Sequence, residues 1–153
     1  MSEAPAPPLQ PLRLRAGLVA GGKAGLETFW DLAKVMVPAL LATLILKRVG
    51  AIDALAHAAA PVMHLVGLPG SAALPLMVGW VMNLYAAVGA MTPLGLTPPE
   101  ITVLAVAVLI GHNLIVEGAV TQRAGMNGVA FGVLRAVAGL VAAGVVNQLM
   151  HLL

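Results

Sequence analysis

Between Asp53 and Glu100 the chain runs for 46 consecutive residues without a lysine, arginine, aspartate or glutamate. A water-soluble domain carries about a quarter of its residues as charges and would have to bury that whole stretch. A bilayer needs only about 20 apolar residues per helical crossing. Further uncharged runs cover Val35 to Leu46, Ile101 to Val116 and Ala136 to Leu153. With 9% of its 153 residues charged and 60% hydrophobic, the chain cannot cover its own surface with charge. The expected fold is all-α, an integral membrane helical bundle of about five helices. Its environment is the lipid bilayer, and a bacterial inner (plasma) membrane is the expected location.

The same residues exclude function classes. Without cysteine there is no disulfide, thiolate metal site or cysteine nucleophile. The net charge is only +2, and no basic cluster exceeds the pair Lys47-Arg48, so nucleic acid is not an expected partner. No G-x-x-x-x-G-K-[ST], G-x-S-x-G or H-E-x-x-H motif occurs, which leaves nucleotide hydrolysis and common hydrolase chemistry without residues. Neither enzyme activity nor a cofactor is expected.

Residues 1–12, with four prolines and no apolar periodicity, read as a disordered tail, and residues 13–153 as one transmembrane domain. No basic segment precedes an apolar core and cleavage site, so insertion is expected to use internal helices. Gly17, Gly21 and Gly25 form a small-residue stripe that could seat another helix or simply loosen the segment. Lys23, Glu27, Asp31 and Lys34 recur at helical spacing opposite Leu26, Phe29, Trp30 and Ala33. This predicts a helix that is interfacial at its start, enters the membrane, kinks at Pro38 and stops near Gly50.

Ala51 to Val66 is too short to span comfortably and predicts a re-entrant or interfacial helix before the Gly67-Leu68-Pro69-Gly70 turn. Ser71 is expected to cap a helix continuing to about Met91, with Asn83 in its middle. Thr97-Pro98-Pro99-Glu100 has the form of a capping box, so a further helix should start near Pro98 and end near Gln122-Arg123. A last helix is expected from about Asn127 to Leu153, with Gly128, Gly132, Gly139 and Ala143 offering close-packing faces.

Polar residues inside membrane helices are expensive and mark pathways or binding sites. The densest group is His112, Asn113 and Glu117, which a regular helix would place within an arc of about 140°. If the last two helices form a hairpin turning near Ala124, Glu117 and Arg135 differ by roughly 6 Å along the axis. They are therefore expected to pair, as a structural ion pair or as part of a polar cavity. Asn83 and Asn147 could orient a solute or join helices by amide bonds. Asp53, His57 and His64 share a helix face and are the candidate metal ligands, the alternative being a solvated surface.

The order W-x-x-x-K-x-x-x-P (Trp30 to Pro38), G-x-I-D (Gly50 to Asp53), P-V-M-x-L-x-G-L-P-G (Pro61 to Gly70), N-L-Y-A-A (Asn83 to Ala87) and H-N-L-I-V-E (His112 to Glu117) resembles the nucleoside-recognition Gate domain family. The resemblance covers about residues 26 to 150. Gate domains occur in concentrative nucleoside transporters, in the membrane part of ferrous-iron transporter B and in spore maturation proteins A and B. It implies a pore-and-gate module, half of a transporter for a small polar solute such as a nucleoside, with a divalent metal as the next candidate. It also implies a second unit, supplied by a homodimer or another Gate protein. Asn83, His112, Asn113, Glu117 and Arg135 are then the residues expected to line or brace the solute site. Many members have glutamate where this chain has Ser71, and the cysteine of iron-transporter pores is missing. The alternative class is a non-transporting membrane scaffold assembled through the glycine faces.

Overall fold

A computed structural model describes residues 14–152, all of whose regular elements are helical. Residues 1–13, which include the tail expected to be disordered, lie outside the described residues. The helices are α1 (Leu14–Arg48), α2 (Ala51–Leu65), α3 (Ala73–Val81), α4 (Leu84–Met91), α5 (Pro98–Gly111), α6 (Leu114–Arg123) and α7 (Gly128–Leu152). Three stretches are long and apolar enough to cross a membrane, namely Gly17–Arg48, Pro98–Arg123 and Gly128–Leu152. α1 stays one helix through Pro38.

The chain divides into two compact units, one ending at Ala33 and one starting at Lys34. In the first, Lys23 Nζ lies 3.9 Å from Glu27 Oε1, while Leu18, Leu26, Phe29 and Trp30 are exposed. A Cβ built at Gly17, Gly21 or Gly25 would meet nothing within 4 Å.

In the second unit one end of the bundle gathers most of the connections. Lys47 Nζ donates to the Pro93 carbonyl (3.0 Å), tying the end of α1 to the 3₁₀ turn Thr92–Leu94 after α4. The Gly67-Leu68-Pro69 turn after α2 shares a cavity with Glu100 in the first turn of α5. Gly67 also packs against the amide of Asn147 near the end of α7, where φ +76° and the missing Cβ let it fit. Both ends of α2 are thus at this end of the bundle, and α2 lies across it. The chain bends by 97° between α2 and the segment Gly70–Val81 that follows. Together the two are apolar enough to form a broken span or a re-entrant loop.

A helical hairpin comes next in the chain. The helix expected to run unbroken from Ser71 to Met91 is interrupted at Met82-Asn83, giving α3 of 9 residues and α4 of 8. A Cβ at Gly79 would stand 3.1 Å from that of Ala87. Residues eight apart in a continuous helix are separated by about 12 Å, so α4 folds back on α3. The hairpin enters from the Lys47 end and returns to it. Ser71 is not a cap, because it lies inside the 3₁₀ turn Gly70–Ala72 and α3 starts from Ala72.

The expected capping box forms: the Glu100 carboxylate accepts from the Thr97 N–H (2.7 Å) and from its hydroxyl (2.8 Å), starting α5. Packing then relies on close backbone approach, since lipid offers apolar side chains no reason to prefer each other. Gly139 of α7 sits against the Ala107 carbonyl of α5, Gly128 against Gly118 at the α6–α7 end, and Gly89 of α4 against the backbone of Met36. Leu68, Leu76, Val103, Leu104 and Val108 fill the centre between the hairpin and α5. Asn127 Oδ1 accepts from Ala130 N (3.0 Å) and opens α7 after the turn at Ala124 and Gly125.

Candidate functional site: two broken helices and a charged triad

Asn83 and His112-Asn113, expected inside helices, sit at breaks. At the hairpin tip Asn83 is extended, and its side-chain oxygen accepts from Ala86 N (2.9 Å), capping α4. The amide is a cap here, with its nitrogen left for other partners. Asn83 lines a cavity of about 410 Å³ bounded by Pro38, Ala39 and Thr43 of α1, Val78 of α3 and Ala90 of α4.

The second break separates α5 from α6, where a single helix was expected. His112 is extended (ψ 152°) and Asn113 is left-handed (φ 55°), a conformation asparagine tolerates better than most residues. In an unbroken helix the Asn113 N–H would reach the Leu109 carbonyl. It donates instead to the Gly79 carbonyl of α3 (3.2 Å), and the His112 ring takes its place on Leu109, with Nδ1 2.7 Å from the carbonyl oxygen. A carbonyl can only accept, so Nδ1 carries the hydrogen and the neutral imidazole presents a lone pair at Nε2. Nearby, Trp80 covers Gly111 and donates its indole N–H to the Ala107 carbonyl (3.4 Å). The hairpin therefore packs against the second break on two sides.

The charges lie at this second break. Arg135 Nη1 forms an ion pair with Glu117 Oε2, the pairing the hairpin arithmetic anticipates. Glu117 Oε1 lies 3.8 Å from His112 Nε2. The Arg135 guanidinium also stands over the Phe131 ring, 5.7 Å from its centre, one turn earlier on α7. The Arg135 side chain is 18% exposed, against 38% for Glu117 and 35% for His112. The carboxylate and imidazole are thus the more exposed members, and arginine is their less exposed counterion.

Of the five residues expected at the site, His112, Glu117 and Arg135 come together and Asn113 shapes the break beside them. Asn83 lies at the tip of the hairpin and lines another cavity. A groove of about 360 Å³ between α6 and α7 is lined by Leu114 and Gly118, which flank the triad in sequence, together with Gln122, Gly128 and Gly132. Neither this groove nor the hairpin cavity is lined by the triad itself. Asp53, His57 and His64 are all exposed, and no group of three potential metal ligands occurs among the described residues. The shared face predicted for them does not bring them to one point, because Asp53 and His64 are eleven residues, about 16 Å, apart along α2.

Gly79, Trp80 and Phe131 belong to the site, although sequence reasoning did not single them out. The signal for the first two was a glycine-tryptophan pair three residues before an intramembrane asparagine. For Phe131 it was the four-residue spacing to Arg135.

The chain matches the model of the Gate (nucleoside recognition) family over residues 29–146. It is 40% identical over 136 residues to the uncharacterized membrane protein YvoD of Bacillus subtilis (strain 168), a match covering 87% of this chain and 43% of that protein. No solved structure matches significantly.

Proposed function

Because the chain belongs to the nucleoside-recognition Gate family, we propose that it is half of a membrane transporter for a small polar solute, with a nucleoside as the favoured solute. The observation that carries this reading is the meeting of a helical hairpin with a broken span, His112, Glu117 and Arg135 standing at the break. Non-helical backbone at membrane depth is tolerated only where protein buries it or where it lines a water-filled path. Secondary transporters place their sites at such discontinuous helices. In this reading Glu117 and His112 contact the solute, Arg135 pairs with the carboxylate and holds it in place, and Asn113 and Asn83 set the two breaks.

The other half is a second Gate unit, either a second copy or a partner protein in a bacterial inner membrane. The part of the YvoD relative outside the match, more than half its length, leaves room for another unit of this size. With the three candidate spans as the crossings, the chain passes from one face of the membrane to the other, and a unit fused after this one would enter inverted. Two separate copies reproduce that arrangement by inserting in opposite orientations. A reporter fused after residue 153 should then be found on both sides of the membrane, and its appearance on one side only would refute the antiparallel pair.

Thermal unfolding of the purified protein with nucleosides, nucleobases, divalent metals and small carboxylates tests the solute reading. A ligand present at a hundredfold excess over its dissociation constant stabilises the folded state by about 2.7 kcal/mol. A shift that Glu117→Gln abolishes supports the half-transporter and gives the solute class. If no ligand shifts the transition, a membrane scaffold assembled through faces such as Gly17-Gly21-Gly25 replaces this reading.

A further inference from the structure

We propose that His112 Nε2 and Glu117 Oε1 form one binding position that takes either a proton or an N–H or O–H donor of the solute, so that protonation of His112 expels the solute. This rests on the solute site proposed above and adds to it a ligand chemistry and a control.

The geometry follows from the break. With its Nδ1–H committed to the Leu109 carbonyl, the neutral imidazole can offer only a lone pair at Nε2. Glu117, paired with Arg135 at its other oxygen, offers lone pairs at Oε1. When the imidazole is neutral, two acceptors thus face each other across 3.8 Å. Neither can satisfy the other. The charged groups at the imidazole among the described residues are Glu117 from α6 and, behind it, Arg135 from α7. The third neighbour, α3, contributes the Trp80 indole at Gly111 and the Gly79 carbonyl at Asn113, neither of which titrates in the range of histidine.

Two kinds of partner complete such a pair. One is a proton on Nε2, which makes the facing atoms an ion pair that can close to a charge-assisted hydrogen bond. The other is a hydroxyl, amine or amide hydrogen supplied by a solute. Small carboxylates are rejected because they bring a third acceptor. A divalent ion finds only two side-chain ligands, since no group of three exists among the described residues. The class selected is therefore a neutral, donor-bearing polar molecule. Because the proton and the donor exclude each other, solute binding must release a proton wherever His112 is charged, and acid must weaken binding to the same extent.

Adenosine and uridine are suitable probes, since neither changes charge over about pH 5 to 8, the range in which histidines titrate. Titration calorimetry on the purified protein, in buffers of different ionisation enthalpy, gives both affinity and protons released. The expected result is affinity falling by up to tenfold per pH unit on the acid side, with up to one proton released per nucleoside bound. His112→Gln keeps an acceptor that never charges and should bind with pH-independent affinity. A pH-independent affinity in the unmodified protein, or an unchanged pH slope in His112→Gln, overturns the inference and leaves the half-transporter reading intact. The proton count on the unmodified protein decides the matter even if the variant does not fold. If neither nucleoside binds at any pH, the nucleoside reading falls and this inference falls with it.

Discussion

The two helix breaks share an asparagine followed by a leucine, Asn83-Leu84 and Asn113-Leu114, yet they solve the problem of exposed backbone in opposite ways. At the first, the side chain does the work: the Asn83 amide caps α4, and the chain reverses direction. At the second, the side chain is not the cap. Asn113 adopts a left-handed backbone, sends its N–H to another helix and lets the span continue, while His112 repairs the carbonyl left behind. A self-capped break can stand alone in an apolar setting. A break satisfied by neighbours depends on tertiary packing and brings three helices to one point, where a charged group can be held.

Charge is the sharpest difference between the two breaks, and its removal should have the largest effect. Arg135→Ala leaves Glu117 without its counterion at membrane depth and is expected to cost about 3 kcal/mol, measured by denaturant unfolding in mixed micelles. Glu117→Gln combined with Arg135→Gln should recover at least half of that loss, because no charge is then stranded. A double variant no more stable than Arg135→Ala would mean that the arginine acts by packing on Phe131 rather than by pairing.

Packing comes next. Gly111→Val drives a side chain into the Trp80 indole and should cost about 1–3 kcal/mol by overpacking. In a Trp30→Phe background, a red shift of Trp80 emission would report that the indole has left the Ala107 carbonyl. An unshifted spectrum would show that the hairpin does not rest on the second break.

The smallest effects separate the two asparagines. Asn83→Ala removes a cap and should cost about 1 kcal/mol. Asn113→Gly should be nearly neutral, because glycine adopts a positive φ freely, whereas Asn113→Val forces a branched residue into that conformation and should cost about 1–2 kcal/mol. Equal losses for Asn83→Ala and Asn113→Gly would erase the distinction drawn between the breaks.

Much of this architecture was legible along the chain. Long uncharged runs fixed membrane helices, Thr97 and Glu100 marked the start of α5, and the turn near Ala124 placed Glu117 opposite Arg135 by helical rise alone. These features depend on hydropathy and on spacing within one or two consecutive helices, quantities a linear pattern contains. The breaks were not legible. Asn83 and His112-Asn113 sit in segments whose apolar content suits a continuous helix, and their interruption holds only because the freed backbone groups find partners.

For Asn83 that partner is local. For Asn113 it is the Gly79 carbonyl, 34 residues earlier, and no periodicity records it. Tertiary contacts likewise decide that the hairpin returns to the end it entered and that α2 lies across that end. Hydropathy decides which segments enter the membrane. Where a segment can stop being a helix within it depends on which distant groups stand ready to accept its hydrogen bonds.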